Sequence, residues 1–212
     1  MKTKILLLSF IFLFGFVSNN PVFSIQPFSK NTTFFVENKK QIQDTQNDVL
    51  FYSNSGSNFI YLLKDRLSFV SCFSKNNEWL QIQSVHQTYE SIHSFRMDLM
   101  FVNCNNDIEV YPTEKADFNL NYYLGQNPEG IKNIASYKKI TYKNLYDKID
   151  MEIYFENNAY KYNFILHPCS NINDIKLKYE GNSDLNQISS KIITADNPMF
   201  TIRESIEDSY LL

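Results

Sequence analysis

The stretch that most constrains the fold is "IDMEIYFENNAYKYNFIL", residues 149–166. Apolar and polar residues alternate on either side of Asn157-Asn158. A period of two marks a strand with one buried face. A two-residue hairpin turn needs positive φ, which Asn tolerates better than any residue except Gly. A turn at Asn157-Asn158 fixes the register. Glu156 faces Ala159, Phe155 faces Tyr160, Tyr154 faces Lys161 and Ile153 faces Tyr162. Beyond them Glu152 faces Asn163, Met151 faces Phe164, Asp150 faces Ile165 and Ile149 faces Leu166.

One face then carries Ile149, Met151, Ile153, Phe155, Tyr160, Tyr162, Phe164 and Leu166. The other carries Asp150, Glu152, Tyr154, Glu156, Ala159, Lys161, Asn163 and Ile165. A slip of one residue would bury the charges, so the pairing is strongly specified. The first face is expected in the core, where each large apolar side chain contributes roughly 1.5–3 kcal/mol.

The same period recurs along the chain. Strands are expected at 58–63 and 66–73 around Lys64-Asp65, at 79–85, and at 95–103 with Phe95, Met97, Leu99 and Phe101 on one face. Others are expected at 107–112, 118–125, 137–146 and 174–181, and at two short segments around Asp196-Asn197-Pro198. Asn127-Pro128 and Gly130 suggest a loop. No segment keeps a helical period over three turns. Short connections favour antiparallel pairing. Many one-sided strands are usually buried as a two-sheet β-sandwich, so the expected fold is all-β: an antiparallel two-sheet sandwich, residues 34–212 forming one domain. Aromatics make up 16% of residues, which suits a pleated surface.

Residues 1–24 read as a signal peptide. Lys2 and Lys4 precede the apolar run Ile5 to Val17, which is short for a membrane span of roughly 20 residues. Val22 and Ser24 fill the small positions before a cleavage after Ser24. Residues 25–33 are an extended polar lead-in that includes the formal glycosylation sequon Asn31-Thr32-Thr33. Without Lys2 and Lys4, the 20 basic residues fall to 18 against 23 acidic ones, a net charge of −5. No basic run follows the leader, which argues against nucleic-acid binding, and no stable membrane span is expected once the leader is removed. The expected location is exported, extracellular or at the cell surface, by way of the periplasm.

Export permits disulfides, but Cys72, Cys104 and Cys169 are odd in number. Cys72 and Cys104 both end strand-like runs and could meet, but a buried thiol is the commoner fate for each cysteine. Their spacing suggests no zinc site. Asp150, Glu152 and Glu156 lie on one polar face, about 7 Å between neighbours. That range suits a glycosidase pair, which however needs two different environments to split its pKa values. An open sheet face does not supply them, so a solvated face with Lys161 as cross-strand partner is expected. His86 and His93 lack acidic neighbours at ligand spacing, and His167 precedes Pro168 at a strand exit. Cys169 beside His167 has poor geometry for a nucleophilic dyad. Trp79, Tyr122, Tyr123 and Tyr154 are candidates for a sugar platform, with core packing as the commoner role. No catalytic, cofactor-binding or metal-binding residue is assigned, and no cofactor is expected.

Several motifs occur in order: "FFVENKKQ" (34–41), "DVLFYS" (48–53), "FRMDLMFVN" (95–103), "EKADFNLNYYLG" (114–125), "YKKITYKNLYDKIDMEIYF" (137–155) and "YKYNFILHPCSNINDIKLKYEG" (160–181). Together they resemble the uncharacterised N-terminal β-domain of large exported Bacteroidota cell-surface proteins. In that family the domain precedes β-propeller-type repeats or immunoglobulin-like modules, often with a gliding-motility-type C-terminal sorting domain. The chain stops at "DSYLL", where family members continue. The resemblance implies Gly where this chain has Lys40 and Cys169, so positive φ there would strain a non-Gly residue. It carries no activity. The expected role is a non-catalytic surface module of an adhesion or structural protein, contacting cell-surface glycans or other surface proteins. The alternative is a carbohydrate-binding module or a hydrolase using Asp150 and Glu152.

Overall fold

The computed structural model describes residues 6–15, 34–42, 48–55, 58–74, 92–124, 127–156, 159–206 and 210–211. They form fifteen strands and one 3-10 turn at Ile172–Asp174, with no α-helix among the described residues. The strands are β1 (Leu6–Gly15), β2 (Phe35–Glu37), β3 (Phe51–Ser55), β4 (Asn58–Leu62), β5 (Arg66–Ser74), β6 (Ile92–Phe101), β7 (Glu109–Leu124) and β8 (Asn127–Tyr146). After them come β9 (Ile149–Glu156), β10 (Ala159–Leu166), β11 (Leu177–Glu180), β12 (Asp184–Ser189), β13 (Ile192–Asp196), β14 (Thr201–Ile206) and β15 (Tyr210–Leu211). The expected strand at 79–85, His86, the lead-in at 25–33 and the turn residues Asn157-Asn158 lie outside the described residues.

All pairing is antiparallel, in one hydrogen-bonded sheet with the path β11-β6-β5-β4-β3-β2-β8-β9-β10-β1-β14-β13-β12. β8 is the pivot. Its Tyr137 lies between Lys115 of β7 and Phe35 of β2, and its Ile140 between Pro112 of β7 and Ile153 of β9. β7 keeps one register over that stretch, so β2 and β9 follow each other along the same edge of β8. Two arms leave that edge and fold over a common core.

Side-chain contacts show the closure. Phe101 of β6 meets Tyr142 of β8 edge-to-face at 5.6 Å between ring centroids. Five strand spacings separate β6 from β8 along the path. A flat sheet would hold them about 24 Å apart. Tyr179 on β11 and Glu204 on β14, near opposite ends of the path, share a hydrogen bond. The core between the arms contains Phe69, Met97, Leu99, Tyr142, Met151, Ile153, Tyr162, Phe164 and Ile202, all essentially without solvent exposure.

The β9–β10 hairpin has the register that the sequence predicts at every pair, from Ala159 opposite Glu156 to Leu166 opposite Ile149. Ile149, Met151, Ile153, Tyr160, Tyr162, Phe164 and Leu166 are buried, and Phe155 is half-buried against Tyr160. The second face is less open than expected. Asn163 is only 5% exposed, and Ala159 is buried as well.

The segments 107–112 and 118–125, expected as separate strands, are one strand, β7. The loop expected at Asn127-Pro128 and Gly130 opens β8 instead. Among the described residues β7 pairs only with β8, so it runs along an edge where Pro112 leaves no central ladder bond unmade. Irregular register between Lys115 and Asn119, with Glu114 at φ 55°, absorbs the extra residues that a sequence reading takes for a break. The apolar run expected as part of a leader supplies β1, which lies between β10 and β14.

Candidate functional site

The hairpin carboxylates are separated by their partners. Asp150 Oδ1 accepts the Asn144 backbone N–H at 2.7 Å, and Oδ2 lies 2.7 Å from His167 Nε2. Asn144 and Lys148 both hold left-handed φ, at 58° and 57°, in the corner between β8 and β9. Asn105 donates from its side chain to the Asn144 carbonyl at 2.8 Å, and His167 N–H donates to Lys148 O at 3.0 Å. Asp150 therefore ties a strained corner, and His167 backs it from the exit of β10.

Glu152 pairs with Lys139 of β8 at 3.2 Å, and the same ammonium reaches Glu114 at 3.6 Å. Burial pulls the Lys139 pKa down, but Glu152 and Glu114 together raise it above its ordinary value. Lys139 also lies 5.6 Å over the Tyr154 ring, whose hydroxyl accepts from the Asn163 amide at 3.0 Å. Glu156 pairs with Lys161 at 3.3 Å. Each of the three carboxylates is engaged by a different donor. Glu152 takes Lys139 from the neighbouring strand β8, where the sequence pointed to Lys161.

A shallow cleft of about 430 Å³ opens beside the Asp150–His167 pair, lined also by Asp107, Glu109, Lys143, Asn144, Asp147 and Lys148. Among the described residues its lining has no Ser, Thr, Cys, Phe, Tyr or Trp. Among the described residues no group of three His, Cys, Asp or Glu side chains could hold a metal ion. His93 stands exposed on β6.

The other candidates are scattered. Tyr122 is half-buried and its hydroxyl bonds that of Tyr52 at 2.9 Å. Tyr123, the next residue, is 69% exposed and its ring lies against Gly130, where a Cβ would come within 2.8 Å. Tyr154 belongs to the Lys139 cluster. Trp79 lies outside the described residues. Cys72, Cys104 and Cys169 are free thiols, the first two half-buried and the third exposed. Burial raises the thiol pKa of Cys72 and of Cys104, the latter aided by Asp65. Lys40 and Cys169 do hold positive φ, 75° and 67°.

One carboxylate escaped sequence reading. Glu204 on β14 is 3% exposed. Tyr179 donates to its Oε1, and Tyr162 donates to Oε2 at 3.4 Å. Burial raises its pKa to about 7, against the opposing effect of both hydrogen bonds. Burial and the nearby Glu204 charge push both phenols well above their ordinary range. The signal was available: Ile202, Glu204 and Ile206 share parity, which puts a carboxyl on an otherwise apolar face. It is not among the residues that line the cleft.

Geometry thus defines an all-β, antiparallel domain whose conspicuous carboxylates brace corners, neighbouring strands and the core. The chain belongs to the family described as a domain of unknown function, DUF7948, whose model matches residues 35–211. Neither the curated proteins nor the solved structures gave a match.

Proposed function

We propose that this is a non-catalytic, exported cell-surface module of an adhesion or structural protein, acting by folding, presentation and contact. One observation carries the reading. The carboxylates that look catalytic in the sequence each serve a structural tie: Asp150 to the Asn144 amide and His167, Glu152 to Lys139, and Glu156 to Lys161. Charged groups held by a cation or a backbone amide are braces between strands. The export part of the proposal rests on the leader in residues 1–24 and on the resemblance to Bacteroidota surface proteins. The two facing arms of the sheet are proposed as the two layers of a β-sandwich, joined through β8.

The runner-up is a carbohydrate-binding module. Tyr111, Phe118 and Tyr123 are all exposed along β7, an edge strand, and exposed aromatic faces suit stacking on sugar rings. A glycan array probed with the purified chain separates the two readings. The scaffold proposal expects no saturable signal. Saturable binding that disappears in Tyr123→Ala would establish the binding module instead. Edman sequencing of the exported protein tests the leader, with Ile25 expected as the first residue.

A further inference from the structure

β10 and β14 are not paired with each other. β1 stands between them, running from Leu6 opposite Leu166 to Phe12 opposite Tyr160 on one side. On the other it runs from Phe10 opposite Ile206 to Gly15 opposite Thr201, with Leu6 and Leu7 opposite Leu211 and Tyr210 of β15. Phe10, Ile11 and Phe12 therefore have ladder partners on both sides. We infer that the gap between β10 and β14 is a strand-binding slot whose occupant is the apolar segment Leu6–Gly15, held there without needing its covalent link to the rest of the chain.

The slot's chemistry explains the occupant. Two ladder spacings, about 9–10 Å, separate the facing edges, enough for one strand. Those edges are lined by backbone groups that must find partners once buried. On the core side of the slot lie Tyr160, Tyr162, Phe164 and Ile202, all buried. Glu204 lies on the β14 edge of the slot, opposite Phe12 in the register, and is 3% exposed. A ten-residue strand, apolar except at Ser9, satisfies both edges at once, the strand-addition mode of recognition applied in the middle of a sheet. The inference rests on the proposed leader only for its biological consequence: the same residues would serve as export signal and as sheet strand. A chain folded before export would then hide its own signal.

The test uses the full chain. A protease site is placed within residues 16–33, the folded protein is nicked, and gel filtration with native mass spectrometry follows the N-terminal fragment. The expected result is a one-to-one fragment–body complex, with amide exchange in β10 and β14 as slow as before nicking. Ile11→Pro removes a ladder N–H at a doubly paired position. In that variant the nicked fragment is expected to separate and amides in β10 and β14 to exchange about tenfold faster or more. Returning the unmutated 6–15 peptide at a hundred times its Kd should raise the unfolding midpoint of the stripped body by about 5–10 °C. The inference is overturned if the unmutated fragment leaves while β10 and β14 stay protected, because the sheet would then have closed by itself. Dimerisation of the stripped body with restored protection in β10 and β14 overturns it equally, since a second copy would be the occupant. An unprocessed N-terminus in cells would count against the export reading and leave the nicking result unaffected.

Discussion

Substituting Glu204 with Gln should reshape the dependence of stability on pH. In the folded chain burial raises this carboxyl from its ordinary 4.5 to about 7. A raised acid favours the folded state when protonated. The stabilising preference is full below the unfolded pKa, declines as pH rises past 4.5, and is lost above about 7. At one pKa unit per about 1.4 kcal/mol, charging Glu204 costs the fold about 3 kcal/mol by pH 8, of which about 2–3 kcal/mol accrues between pH 5 and pH 8. Gln keeps an oxygen acceptor and carries no charge, so Glu204→Gln should gain on the native chain by that amount over the same interval. Urea unfolding of both proteins at half-unit steps of pH, with m checked for constancy, reads the difference directly. A second arm fixes the cause. The hydrogen bond from Tyr179 lowers the Glu204 pKa, so Tyr179→Phe should move the midpoint of the transition above 7. Parallel stability curves for the native and Gln proteins from pH 5 to 8 would refute the reasoning, because the buried carboxyl would then not be the titrating group.

Asp150→Ala strips the corner amide of Asn144 of a charged acceptor and should destabilise by roughly 2 kcal/mol, whereas Glu152→Gln, in a partly exposed pair with Lys139, should cost no more than about 1 kcal/mol. Denaturant midpoints check this, and equal losses would contradict the assigned roles. Lys40→Gly and Cys169→Gly should each stabilise by about 1 kcal/mol, since both positions are left-handed and neither side chain prefers that region. Gly181→Ala should cost more than about 2 kcal/mol: its φ is +83°, and a Cβ would sit 2.6 Å from the Arg96 carbonyl oxygen. In the native state a thiol reagent should label Cys169 well before Cys72 and Cys104, and the difference should vanish in denaturant.

The parts of this fold that can be read in the sequence are those with local causes. The β9–β10 register follows from two Asn residues and an alternation that any slip would spoil, and every pair forms as read. The resemblance led to an expectation of positive φ at Lys40 and Cys169, since a glycine at a position speaks of backbone conformation, and both residues hold it. What could not be read depends on distant partners. Asp150 looks like half of a carboxylate pair until β8 brings the Asn144 amide and the end of β10 brings His167. The unity of β7 depends on its place at an edge, where Pro112 and a left-handed Glu114 do little harm. Nothing within 109–124 says which edge that will be.

Glu204 and the segment Leu6–Gly15 show a deeper limit. Alternation around Ile202 and Ile206 places Glu204 on the apolar side. Only the arrival of Tyr179 from the far end of the sheet path, and of Tyr162 from β10, explains how a carboxyl can stay there. Leu6–Gly15 is harder still. A ten-residue run that is apolar except at Ser9 meets the requirements of an expected leader and those of a strand paired on both edges equally well. What separates the two states lies outside the segment: hydrocarbon asks the backbone to satisfy itself, whereas β10 and β14 offer two rows of backbone partners. If the proposed leader role holds, the same residues would serve either environment, the choice following from which is available when the rest of the sheet has formed.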